Sequence, residues 1–117
     1  MKKIIELNEI KDWEEFKQNN KENCETILFK FSPVCSISNS VENMFDRWFA
    51  NVPEEININC LKVDVINSRP VSRKIAADLD VLHQSPQIIW LTQNARVKWS
   101  ESHYLITESA LDANLTN

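Results

Sequence analysis

The segment that most constrains this chain is Thr26-Ile27-Leu28-Phe29-Lys30-Phe31. It is rich in β-formers and nearly all apolar, the composition of a strand covered on both faces of a sheet. A short loop, Ser32 to Cys35, follows. Apolar residues then recur at Ile37, Val41, Met44, Phe45 and Trp48. Those positions (i, i+4, i+7, i+8, i+11) make the stripe of an amphipathic helix, predicted over residues 36–51 with Pro53 at its exit. A second strand is predicted over 58–65. Strand, helix and strand in that order form a β-α-β unit, whose strands are parallel and whose crossover is almost always right-handed.

The flanking sequence extends the pattern. Asn8 is positioned to cap a helix over about residues 9–20, with Ile10, Trp13 and Phe16 on one face. Ser68 precedes a third helix that has Pro70 in its first turn and Val71, Ile75 and Leu79 along one side. Asp80 stands where that helix must end, and Asp tolerates the left-handed conformation. Residues 87–91 and 96–99 read as two strands, joined by Gln93-Asn94-Ala95 with Asn94 expected at positive φ. A last helix starts at Thr107, where Ile106 and Leu111 are spaced as a hydrophobic staple. The order α-β-α-β-α-β-β-α predicts one α/β domain over 1–117, a central mixed sheet with helices on both faces.

Composition narrows the function. The 117 residues are 43% apolar, enough for one core. A net charge of −4, with no basic stripe, argues against nucleic-acid binding. The start resembles a signal peptide only until Glu6 and Glu9 interrupt it, and no apolar run approaches the ~18 residues of a membrane span. A cytoplasmic protein with no membrane partner is expected. Glycine is absent, which excludes Gly-rich phosphate loops and leaves positive-φ turns mainly to Asn or Asp. Three cysteines, Cys24, Cys35 and Cys60, are odd in number and widely spaced, which with the interrupted signal speaks against a secreted disulfide framework, and no Cys/His pair has zinc-ligand spacing. No metal or bound cofactor is expected.

Cys35 is the residue positioned for chemistry. It lies between the C-terminal end of a strand and the start of a helix. Sites in open α/β sheets gather there, and the helix offers unpaired N–H groups and a positive dipole end. Cysteines in such settings have pKa values moved from ~8.5 toward about 3.5–7.5. Nucleophilicity per thiolate falls as pKa falls, so the benefit is greatest when the cysteine is the leaving group. The competing reading is a small buried residue, which is retained for Cys24 and Cys60. Strand geometry puts both too far from Cys35 to form a disulfide, which needs Cα atoms within ~7 Å. In Cys35-Ser36-Ile37-Ser38, serine occupies the second position of a C-x-x-C motif, so any mixed disulfide on Cys35 must be resolved by an outside thiol. Ser36 or Ser38 has two readings: hydrogen-bond donor to the thiolate, or plain helix-start residue.

Pro86 opens the predicted third strand, after Ser85. Taken with Cys35, it resembles the thioredoxin superfamily, in which a cis-proline at that position packs beside the reactive cysteine. In that superfamily the preceding residue pairs with substrate as an added strand. The segments Phe29-Lys30-Phe31-Ser32-Pro33-Val34-Cys35-Ser36-Ile37-Ser38, Asn67-Ser68-Arg69-Pro70-Val71-Ser72, His83-Gln84-Ser85-Pro86-Gln87 and Ser102-His103-Tyr104 are similar to segments of the monothiol bacilliredoxin family. One departure is Ser36, where that family usually has proline.

The resemblance implies a thioredoxin-like fold and a monothiol disulfide oxidoreductase with Cys35 as nucleophile. Pro33, Val34, Ser36, Ser38, Ser85 and Pro86 would contact substrate. Bacillithiol would be co-substrate, and S-thiolated client proteins the partners. The alternative is a non-catalytic thioredoxin-fold adaptor using the Pro86 edge. An iron–sulfur carrier like the monothiol glutaredoxins would carry C-G-F-S, which a chain without glycine cannot match. Lys30 reads as a snorkelling lysine or an attractor of an anionic thiol. His83 and His103 read as structural or as neighbours that tune Cys35. Trp48, Trp90 and Trp99 read as core or sheet-face residues.

Overall fold

The computed structural model describes residues 2–19 and 24–115. Its elements in chain order are β1 (Lys3–Glu6), α1 (Ile10–Asn19), β2 (Glu25–Phe31), α2 (Ser36–Asn51), β3 (Ile58–Asp64), α3 (Arg69–Leu79), β4 (Gln87–Leu91), β5 (Val97–Ser102) and α4 (Glu108–Asn114), with a 3₁₀ turn at His103–Leu105 before α4. The sheet order is β1-β3-β2-β4-β5. β2 pairs parallel with β3, as does β1, while β4 is antiparallel to both β2 and β5. The sheet is therefore mixed.

Side-chain alternation along β2 divides the core. Ile27 and Phe29 face α2 and α4, packing with Val41, Phe45, Trp48, Ile88, Trp90 and Leu111. Leu28 faces α1 and α3, packing with Trp13, Leu61, Val63, Val71, Ile75 and Ile89. The Phe29 and Phe45 rings meet edge to face at 4.8 Å, an arrangement worth about 0.5–1.5 kcal/mol beyond burial. Trp99 is only half-buried against the α2 face.

Several expectations need correction. The sheet has a strand not read from the sequence, β1, whose four residues are all exposed. Asn8 does not cap α1. Instead Asp12 Oδ2 reaches back to accept from Asn8 N–H and Glu9 N–H, both at 2.9 Å. Ile10 is exposed rather than on the packed face. The expected end of that helix at residue 20 lies outside the described residues. Ser68 holds the N-cap position of α3 without a side-chain capping bond. Thr107 does cap α4, its side chain accepting from Ala110 N–H.

In a chain without glycine, the left-handed backbone falls on Asp80 (φ 54°), Ala95 (φ 59°) and His103 (φ 56°). Asp80 is as expected. Ala95, not Asn94, takes the turn before β5. There Ala95 N–H donates to Thr92 O, and the Thr92 hydroxyl accepts from the N–H groups of Asn94 and Arg96.

Candidate functional site

The Ser32–Cys35 loop crosses from the C-terminal end of β2 to α2. Two serines shape it. The fully buried Ser38 hydroxyl accepts the Ser32 N–H at 2.8 Å. The Ser32 hydroxyl accepts from Val34 N–H at 3.4 Å, and Ser32 O from Cys35 N–H at 3.5 Å. Cys35 is the N-cap residue of α2, with extended backbone (φ −108°, ψ 125°) and no capping bond from its side chain. Its carbonyl accepts the Asn39 N–H at 3.0 Å. The thiol thus sits half-exposed at the positive end of a helix spanning Ser36–Asn51.

Pro33 and Ser36 are exposed, and Val34 is 79% exposed. Ser38 faces inward and holds the loop, so its observed bond is structural. The Ser85–Pro86 peptide bond is cis. Pro86 is buried and its carbonyl accepts the His103 N–H at 3.0 Å, while Ser85 Oγ is buried without a hydrogen-bond partner. Gln87 pairs with Lys30 in the antiparallel register, which carries Pro86 to the β2 end, where the Cys35 loop begins. The Gln87 side chain ties the approach by donating from Nε2 to Leu82 O at 2.9 Å. All seven residues singled out in the sequence therefore lie in two adjoining segments at one end of the sheet.

The other cysteines lie away from that end. All three are free. Cys60 is fully buried and level with Ile27 in the β2–β3 register. Four residues of strand, about 13 Å, separate that level from the end of β2, well beyond disulfide reach. Burial pushes the Cys60 thiol far above its ordinary range, which makes it unreactive. Cys24 is buried at the opposite end of β2. Among the described residues, no group of three or more His, Cys, Asp or Glu is placed to hold a metal ion.

Two lysines interrupt the strands at this end. Lys30 does not snorkel. It is 0% exposed, and its Nζ donates to Ser72 O at 2.9 Å and lies 3.2 Å from His83 Nδ1. Burial lowers its pKa to about 8. His83 is also lowered, first by burial and then by Lys30, Arg73 and Arg69. His83 thus contacts Lys30 and the Ser72 hydroxyl (3.4 Å), while His103 meets Pro86 through its backbone.

Lys62, on the α2 face, was not singled out in the sequence. Its ammonium bridges Glu42 (2.9 Å) and Asp46 (2.7 Å) of α2 and lies 6.0 Å from the Phe29 ring centroid. Burial alone would lower its pKa, but the bonds to Asp46 and Glu42 hold it above its ordinary value. The legible signal is a lysine within a largely apolar strand.

Comparison with known proteins agrees with this geometry. The family model described as monothiol bacilliredoxin BrxC matches residues 5–111. Among solved structures, a thioredoxin-fold protein assigned as an oxidoreductase superposes with a TM-score of 0.76 at 25% identity, over 94% of this chain and 91% of that one. The reduced Schistosoma mansoni thioredoxin pre-protein superposes at 0.72 with 17% identity, over 97% and 95% of the two chains. Fasciola hepatica thioredoxin superposes at 0.71 with 18% identity, over 95% of each. The last two identities speak for the fold alone. With a thioredoxin fold and a family match over nearly its whole length, the chain belongs to the monothiol bacilliredoxin family, in which thiol redox chemistry is the supported function.

Proposed function

We propose that this protein removes bacillithiol from protein mixed disulfides through Cys35. The supporting observation is a lone, half-exposed thiol at the N-cap of α2, on the loop that leaves the β2 end to which the register brings Pro86, with Ser38 committed to Ser32 N–H where a resolving cysteine would stand. In the first step the Cys35 thiolate attacks the bacillithiol sulfur of the mixed disulfide. The client's thiolate leaves and takes up a proton, and Cys35 is now disulfide-bonded to bacillithiol. In the second step a bacillithiol thiolate attacks the sulfur of that adduct. Bacillithiol disulfide forms and the Cys35 thiolate is regenerated, so both steps are electron-balanced exchanges.

The exposed Pro33, Val34 and Ser36 would meet the client near its modified cysteine. Because the Pro86 carbonyl is occupied by His103 N–H, the backbone of Ser85 would pair with the client's extended chain. Such chemistry belongs in a compartment that keeps thiols reduced, as the cytoplasm does.

The test is intact-mass spectrometry after incubation with bacillithiol disulfide. One bacillithiol adduct, mapped to Cys35, is expected. Absence of an adduct, or undiminished release of bacillithiol from a modified client by Cys35→Ser, rejects the enzyme reading and leaves the adaptor.

A further inference from the structure

A cavity of about 240 Å³ lies against the first turns of α3 and the segment leading to Pro86, lined by Val65, Ile66, Arg69, Ser72, Arg73 and His83. It concentrates positive charge in a chain whose net charge is −4. None of its lining residues is acidic, whereas a smaller cavity of about 90 Å³ mixes Lys62 with Glu6 and Asp64. Beneath it, the Lys30 ammonium donates to Ser72 O and reaches His83 Nδ1. An ammonium only donates, so His83 Nδ1 accepts, and the neutral ring carries its proton on Nε2 as a donor. Two guanidiniums, a hydroxyl and an imidazole N–H are a donor set for an oxyanion. Guanidinium matches carboxylate and phosphate alike, through its paired N–H groups. The volume falls below that of drug-sized sites, so it fits part of a small molecule.

The cavity also adjoins the exchange site. Val65 N–H donates to Phe31 O at 2.9 Å, at the end of β2 from which the Cys35 loop departs. His83 stands three residues before Pro86.

We infer that this cavity binds a small oxyanion, and that this anion is the acidic part of the low-molecular-weight thiol that regenerates Cys35. The second half rests on the redox reading above. In that step the anionic thiol's sulfur attacks the small-molecule sulfur of the Cys35 adduct. The two small-molecule sulfurs join, and the Cys35 thiolate leaves.

Binding is tested without thiol chemistry on Cys35→Ser. The protein is titrated with succinate, and separately with inorganic phosphate, against sodium chloride at matched ionic strength. The His83 ring is followed by NMR. The charged and polar groups around that ring are Lys30 of β2 and Arg69, Ser72 and Arg73 of α3. Succinate is expected to give a saturable shift and to raise the His83 titration midpoint, because a bound anion favours the imidazolium. Arg69→Gln/Arg73→Gln should abolish the saturable shift. An equal response to chloride, no saturable response to succinate or phosphate, or saturation in the double variant overturns the oxyanion site, and saturation by phosphate alone overturns a carboxylate co-substrate.

The co-substrate assignment is tested by resolving a preformed Cys35 mixed disulfide with mercaptosuccinate and with 2-mercaptoethanol. The double variant should lower the ratio of the two rate constants about fivefold, as expected for losing two partly solvated ion pairs. An unchanged ratio despite succinate binding overturns that assignment. Failure of Cys35 to form any mixed disulfide rejects the redox reading and, with it, the co-substrate half, while the succinate and phosphate results still decide the site.

Discussion

Replacing Lys30 with methionine gives a pH-dependent change in stability whose size follows from burial. Lys30 has no exposed surface, and burial holds its pKa at about 8 against 10.5 for the free side chain. Between those values the unfolded chain binds a proton that the folded chain releases, so the native state gains stability as pH rises. From pH 7 to 9.5 this gain is about 2 kcal/mol. The buried Cys60 thiol acts in the opposite direction at alkaline pH, since the fold keeps a proton that the unfolded chain gives up. That effect is common to both proteins and cancels in their difference.

The assay is urea unfolding of wild type and Lys30→Met at pH 7.0, 8.0, 9.0 and 9.5. The stability of wild type relative to Lys30→Met is expected to climb by about 2 kcal/mol across the series. The absolute offset also contains the orphaned Ser72 carbonyl and His83 nitrogen, so the slope is the informative quantity. A difference constant to within about 0.5 kcal/mol would refute the claim that Lys30 is buried without a compensating negative charge.

Three further outcomes follow from the geometry. Ser38→Ala strips the Ser32 N–H of its acceptor and should cost about 1–3 kcal/mol, read as a thermal midpoint lowered by several °C, with a larger loss in exchange rate than in bulk helicity. Ala95→Gly relieves a Cβ at φ 59° and should stabilise the fold by up to about 1 kcal/mol, whereas Asn94→Gly should not. Brief iodoacetamide treatment of the native protein should alkylate Cys35 alone, because Cys24 and Cys60 are buried; peptide mapping showing comparable labelling at Cys60 would contradict the core assignment.

The parts of the fold that bury a periodic face were legible in the sequence. α2 was read at its observed bounds because five apolar residues on one stripe admit one register. β2 is legible as a nearly continuous apolar run, the pattern that suits a strand covered on both faces. β1 escaped because an edge strand with four exposed residues carries no burial pattern; its pairing with β3 is a backbone property that sequence periodicity does not encode. The turn before β5 went to Ala95 rather than Asn94 because the Thr92 hydroxyl binds Asn94 N–H and Arg96 N–H, which fixes the turn's phase against local preference. The snorkelling reading of Lys30 fails for a related reason. A lysine within an apolar strand ordinarily reaches water, and the carbonyl that stops it, Ser72 O, is 42 residues away. At the site, the position of Cys35 was evident from the strand-to-helix junction. The commitment of Ser38 to Ser32, and the convergence of Arg69, Arg73 and His83 on one cavity, depend on tertiary contacts.

The most direct test of the central claim compares three proteins on one bacillithiolated client. Released client thiol is measured with bacillithiol present as the resolving thiol. Wild type and Cys24→Ser/Cys60→Ser are predicted to release it at the same rate, and Cys35→Ser at no more than the uncatalysed rate. Retained catalysis in Cys35→Ser, or its loss in Cys24→Ser/Cys60→Ser despite a native fold, would contradict exchange through Cys35 alone.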